Sequence, residues 1–73
     1  MANFAERIRA LRKEKGLSQE EVGSVIGLKK YAVYSYEKGR ACPDMRDLIA
    51  LADYFNVSMD YLAGRTDDPD ITR

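Results

Sequence analysis

The chain has 73 residues, with twelve basic and twelve acidic side chains, no histidine and a single cysteine, Cys42. This length allows one small core and leaves little room for an elaborate buried active site, and a lone cysteine closes no intrachain disulfide. A net charge of zero argues, taken whole, against a nucleic-acid binder, yet the charge is segregated: residues 1–40 carry nine basic against five acidic groups, a net of +4, and residues 41–73 carry three against seven, a net of −4.

No segment alternates with the period of two that a half-buried strand needs, and helix starts and stops follow one another closely, so the fold class is all-α. The first helix is expected to open on Asn3, capped with the help of Glu6, and to carry Phe4, Ile8 and Leu11 along one face. Gly16 ends it, and Leu17 is the apolar residue expected just past a glycine stop. The basic residues Lys13 and Lys15 sit where a helix C-terminus favours cations. Ser18 and Glu21 form a capping box for a second, short helix whose inward set reads as Val22, Val25 and Ile26, and Gly27 stops it in a tight turn. Leu28 belongs in that turn, Val33 and Tyr36 share the inward face of a third helix, and Gly39 closes it.

Cys42 reads as a small buried or half-buried residue with no assigned role. Asp44, after Pro43, caps a fourth helix with Leu48, Leu51, Ala52 and Phe55 as its apolar stripe. Asn56 suits a left-handed stop, Val57 locks it, and Ser58 caps a short fifth helix that holds Tyr61 and Leu62 and ends at Gly64. Residues 1–66 thus read as one folded domain and residues 67–73 as a flexible acidic tail. No stretch has the length and apolarity of a membrane span or a signal peptide, so the expectation is a cytoplasmic protein without membrane contact.

Function concentrates in residues 18–39, SQEEVGSVIGLKKYAVYSYEKG. Two helices joined by a tight turn cross steeply, and their backbones approach only where the facing residue is very small, a role for Gly23. With Val22, Ile26, Leu28, Val33 and Tyr36 inward, the third helix is left with Lys29, Lys30, Tyr31, Tyr34, Ser35 and Lys38 outward. Lysines can bond guanine O6 and N7 in the major groove of double-stranded DNA, and aromatic rings or hydroxyls can meet thymine methyls or phosphate. Ser18 and Gln19, at the start of the second helix, would aim backbone N–H groups at a phosphate. The exposed aromatics Tyr31 and Tyr34 also suit a protein surface.

The order SQEE, Gly23, IG at 26–27, YEKG at 36–39, PD at 43–44, LIALADYF at 48–55 and NVSMDYL at 56–62 resembles the lambda-repressor and Cro-like (Xre-type) helix-turn-helix domain over about residues 4–66. The resemblance implies five helices with the third as reader. It implies base contacts from Lys29, Lys30, Tyr31 and Ser35 with Tyr34 at the edge, and phosphate contacts from Gln19 and from the loop around Lys38 and Arg40. It also implies a structural ion pair between Arg12 and Glu37. Two departures stand out: Lys29 replaces the usual Ser or Thr cap of the third helix, and the adenine readers Gln and Asn are absent from positions 29–35.

One reader helix covers too few base pairs to select a site in a genome, so the expected function is a homodimeric repressor reading a palindromic operator. The dimer contact is expected in the fourth and fifth helices, near Tyr54, Phe55, Tyr61 and the tail. The same acidic half offers a face to a protein partner, and the alternative is the antitoxin of a toxin pair that represses its own operon. Catalysis is not expected. There is no histidine, Cys42 has no partner base, and the acidic residues form no metal-ligand set. TDDPD at 66–70 lacks the distal glutamate of a cation loop. No metal or cofactor is expected.

Overall fold

Four of the five described helices begin where a short polar side chain can serve the backbone three residues on. Asn3 accepts from the Glu6 N–H while the Glu6 carboxylate accepts from the Asn3 N–H, and Ser18 with Glu21 repeats this box. Asp44 accepts from the Asp47 N–H and Ser58 from the Tyr61 N–H. The structure, a computed structural model, describes residues 3–71. Its helices are α1 (Phe4–Glu14), α2 (Gln19–Val25), α3 (Lys30–Glu37), α4 (Met45–Phe55) and α5 (Met59–Leu62), with no strand among the described residues.

Each helix stop sets the direction in which the chain leaves. At the end of α1 the Leu17 N–H donates to the Arg12 carbonyl at 3.1 Å, and at the end of α3 the Arg40 N–H donates to that of Ser35 at 2.9 Å. Asn56, at φ 56°, ends α4 in the left-handed region that asparagine tolerates. Gly27, at φ 72°, turns the chain between α2 and α3, and Leu28 then donates to the Gly23 carbonyl at 2.7 Å. The core is Ile8, Val22, Val33, Leu51 and Leu62, fully buried, with Tyr36, Ala52, Phe55 and Val57 around them. Phe4 meets Tyr36 edge-on, ring centres 5.6 Å apart, so α1 braces the inner side of α3. Burial pushes the Tyr36 phenol above its ordinary value, with Asp47 and Asp44 adding to it. Packing pairs α3 with both α2 and α1, and α5 with both α4 and α1.

Gly23 is fixed by space. A Cβ there would lie 2.7 Å from the Leu28 carbonyl oxygen and 3.1 Å from the Lys29 carbonyl carbon, both backbone atoms that cannot swing away. Gly23→Val is therefore expected to force the α2–α3 turn open and cost about 2 kcal/mol. Thermal melting of the purified variant checks this, and an unchanged midpoint would show that the turn yields freely.

Four expectations change. Val25 is 46% exposed, because Ile26 and Leu28 fill the space beneath α2. Cys42 is exposed, lying in the extended loop before α4. Phe55 is core, so it is not available to a dimer contact, and Tyr54 and Tyr61 are partly buried against the core cluster. The segment after residue 66 does not simply trail off: Asp67 reaches Arg7 at 2.6 Å and the Ser58 N–H donates to the Pro69 carbonyl at 3.0 Å. Arg7, itself nearly buried, stacks its guanidinium 3.9 Å from the Tyr61 ring centre. Residues 72 and 73 of the expected tail lie outside the described residues.

Candidate nucleic-acid interface

Turning Val33 and Tyr36 into the core leaves positions 30, 31, 34 and 35 of α3, and Lys38 just past its end, on the outer side. Lys30, Tyr31, Tyr34 and Lys38 are exposed, Tyr31 to 73%, while Ser35 is half-buried. The Lys38 ammonium lies 5.6 Å from the Tyr34 ring centre, so these two form the far end of one basic and aromatic surface. Lys29 is exposed and occupies the N-cap position with no side-chain cap bond. Hydrogen-bond donors, aromatic edges and the hydroxyls of Tyr31, Tyr34 and Ser35 thus share a convex helix face, the shape and chemistry that a major groove accepts.

Lys29 holds its place against local stability, since a lysine neither caps the free N–H groups of α3 nor suits the positive end of a helix. Lys29→Ser is expected to raise the unfolding free energy by about 1 kcal/mol, read as a higher melting midpoint without DNA. A lower midpoint would show that Lys29 stabilises the first turn by another route.

The groups expected to meet phosphates divide. The Ser18 N–H donates to the Glu21 carboxylate at 2.9 Å and its hydroxyl accepts from the Glu21 N–H at 3.0 Å, so its backbone N–H is taken by the cap while its O–H proton is left to donate. Half-buried Gln19 donates from Nε2 to Glu37 Oε1 at 3.3 Å. That leaves the backbone N–H groups of Gln19 and Glu20, which have no acceptor within the helix, free to meet an anion. The exposed Glu20 carboxylate opposes one there. Lys38 and Arg40 are exposed on either side of Gly39 in the loop that ends α3.

Beneath this surface Arg12 and Glu37 make a two-pronged pair, Nε to Oε2 at 2.6 Å and Nη2 to Oε1 at 3.0 Å, with side chains only 14% and 5% exposed. Arg12 Nη1 also donates to the Leu17 carbonyl at 2.9 Å. Hydrogen bonding to Glu37 holds the guanidinium above its ordinary value, against the burial that opposes its charge. One carboxylate therefore joins α1, the start of α2 and the end of α3. The Gln19 bond to this network is not legible in the sequence, because it spans 18 residues and no local pattern announces it. Glu20 and Ser24, which border a notch with Leu28 and Tyr31 beside Lys30, are further residues absent from the sequence expectation; their spacing of four on α2 was the available signal.

A family model described as helix-turn-helix matches residues 8–62. The chain is 39% identical over 67 residues to the HTH-type transcriptional regulator YobD of Bacillus subtilis, covering 92% of this chain and 60% of that protein. It is 41% identical over 54 residues to the CTXphi transcriptional repressor RstR of Vibrio cholerae, covering 74% of this chain and 49% of that one. The chain therefore spans about half to three-fifths of the length of these relatives. In three dimensions it is similar to the P22 c2 repressor solved with a synthetic operator, with a TM-score of 0.84 and 30% identity, over 90% of this chain and all of that one. That likeness makes the fold lambda-repressor-like.

Proposed function

The chain belongs to the helix-turn-helix family, and we propose on that premise that it is a sequence-specific DNA-binding transcriptional regulator, a homodimeric repressor that reads a two-fold symmetric operator through the major groove. The observation that carries this reading is the outer face of α3, where Lys30, Tyr31, Tyr34 and Lys38 are exposed together on a helix locked from behind by Val33 and Tyr36. The similar P22 c2 repressor was solved in complex with a synthetic operator, which supports DNA binding here.

In this reading Lys29, Lys30, Tyr31 and Ser35 meet base edges and Tyr34 meets the groove wall. Lys38, Arg40 and the backbone N–H groups at Gln19 and Glu20 hold phosphates, fixing register without reading sequence. Ser18 acts through the cap that presents those N–H groups. Arg12 and Glu37 keep the phosphate-holding ends of α2 and α3 at a set distance. Lysine meets guanine as a point donor rather than a planar fork, so selectivity accumulates over several modest contacts and over two half-sites.

The reading needs neither catalysis nor a membrane and places the protein with DNA in the cytoplasm. No described helix is long and apolar enough to cross a bilayer. Selection of duplexes from a random pool, followed by footprinting at physiological salt, tests it. The expected outcome is two half-sites about 34 Å apart, bound at least about 10³-fold tighter than scrambled DNA. Binding with no sequence preference would contradict it. The uncapped Lys29 adds a separate check: the Lys29→Ser variant, though more stable, is expected to bind the selected duplex less tightly.

A further inference from the structure

We propose that the groove between α4, α5 and residues 66–71 docks a cationic, apolar-faced helical segment of a partner protein. The groove encloses about 560 Å³, enough to bury a few side chains. Its floor is apolar, from Ile49, Ala52, Val57, Met59 and Ile71, and Ile49 and Ile71 remain 41% exposed. Its rim is acidic, with Asp53, Asp60, Asp68 and Asp70, and among the described residues no lysine or arginine lines it. Arg65 stands 3.8 Å from Asp60, but both side chains lie mostly in water, where such a pair exchanges freely.

The charge decides the occupant. Nucleic acid is repelled by this rim. A second copy docked through the same face would set each acidic rim against its twin, a juxtaposition that costs rather than binds, so the homodimer contact expected in the fourth and fifth helices falls outside this groove. A helix bearing apolar residues at a spacing of three or four, flanked by lysine or arginine, satisfies floor and rim together. Among the described residues there is no strand whose edge could pair with an extended peptide.

The groove is built before any partner arrives. Its outer wall, residues 66–71, is tied down where the Ser58 N–H donates to Pro69 and where Asp67 meets Arg7 against the Tyr61 ring. No lining residue belongs to α2 or α3, so the groove can be filled while α3 is on DNA.

The probe is a labelled 16-residue peptide of leucine and lysine patterned to one apolar helix face, compared at 150 mM salt with an isomer of the same composition whose leucines share no face. We expect the patterned peptide to bind at least about tenfold tighter, equivalent to about 1.4 kcal/mol, and to shift the NMR signals of Ile49, Val57 and Ile71. Asp53→Asn with Asp60→Asn should weaken it by about tenfold while the melting midpoint and duplex-DNA affinity hold. Equal binding of the two isomers would reduce the effect to bulk charge and overturn the proposal. Shifts confined to other residues would do the same. So would concentration-dependent shifts of Ile49 and Ile71 without peptide, which would make a second copy the occupant.

Discussion

Replacing Lys30 and Ser35 together with alanine is expected to lower affinity for the selected operator by at least about 30-fold, each lost base contact being worth roughly 1–3 kcal/mol. The free protein should melt close to the wild-type midpoint. Lys30 is exposed at the first position of α3, where a positive charge opposes the helix dipole, so its removal relieves rather than strains the fold. Ser35 is half-buried and has no side-chain bond among those the structure describes, and alanine is the better helix former at such a position. The two readouts, mobility shift and melting, separate reader from scaffold. Operator affinity unchanged by the double substitution would mean that another surface reads the DNA.

Glu37→Ala should do the opposite, collapsing stability first. It removes both prongs of the Arg12 pair and the Gln19 bond, and leaves a guanidinium buried without its counter-charge. Breaking one side of a buried pair costs about 3–5 kcal/mol, a large share of the total in a domain this small. At about 4–8 °C per kcal/mol, the melting midpoint should fall by roughly 12–40 °C, and DNA binding is lost with the fold. Arg12→Ala strands the Glu37 carboxylate and the Leu17 carbonyl and should behave alike. Replacing both partners with methionine should recover much of the loss, since the penalty comes from the orphaned charge. Denaturant titration of the four proteins measures this, and a loss below about 1 kcal/mol for Glu37→Ala would place the pair among dispensable surface contacts.

The parts of the fold legible in sequence are those set by contacts a few residues long. Asn3, Ser18, Asp44 and Ser58 each bond a backbone N–H three positions on, and Gly16, Gly39 and Asn56 sit where the chain turns left-handed. The outer face of α3 was equally legible, because Val33 and Tyr36 fix its rotation. Val25 was not: α2 has seven residues, about two turns, too few for periodicity to decide whether Val25 or Ile26 faces in. The return of residues 67–70 rests on partners at Arg7 and Ser58, one of them 60 residues away, which composition cannot reveal. The Arg12–Glu37 pair was reached through family likeness, since nothing in the spacing of 25 residues singles it out. Of the phosphate contacts, the resemblance named Gln19, and only the structure shows its side chain held by Glu37.

Amide chemical-shift mapping of the full chain against its selected duplex tests the reader assignment most directly. The largest changes should fall on Lys29, Lys30, Tyr31, Tyr34 and Ser35, with smaller ones at Gln19, Glu20, Lys38 and Arg40, and little change across Met59–Leu62. Changes centred on α4 and α5, with α3 silent, would contradict the assignment of α3 as the element that reads DNA.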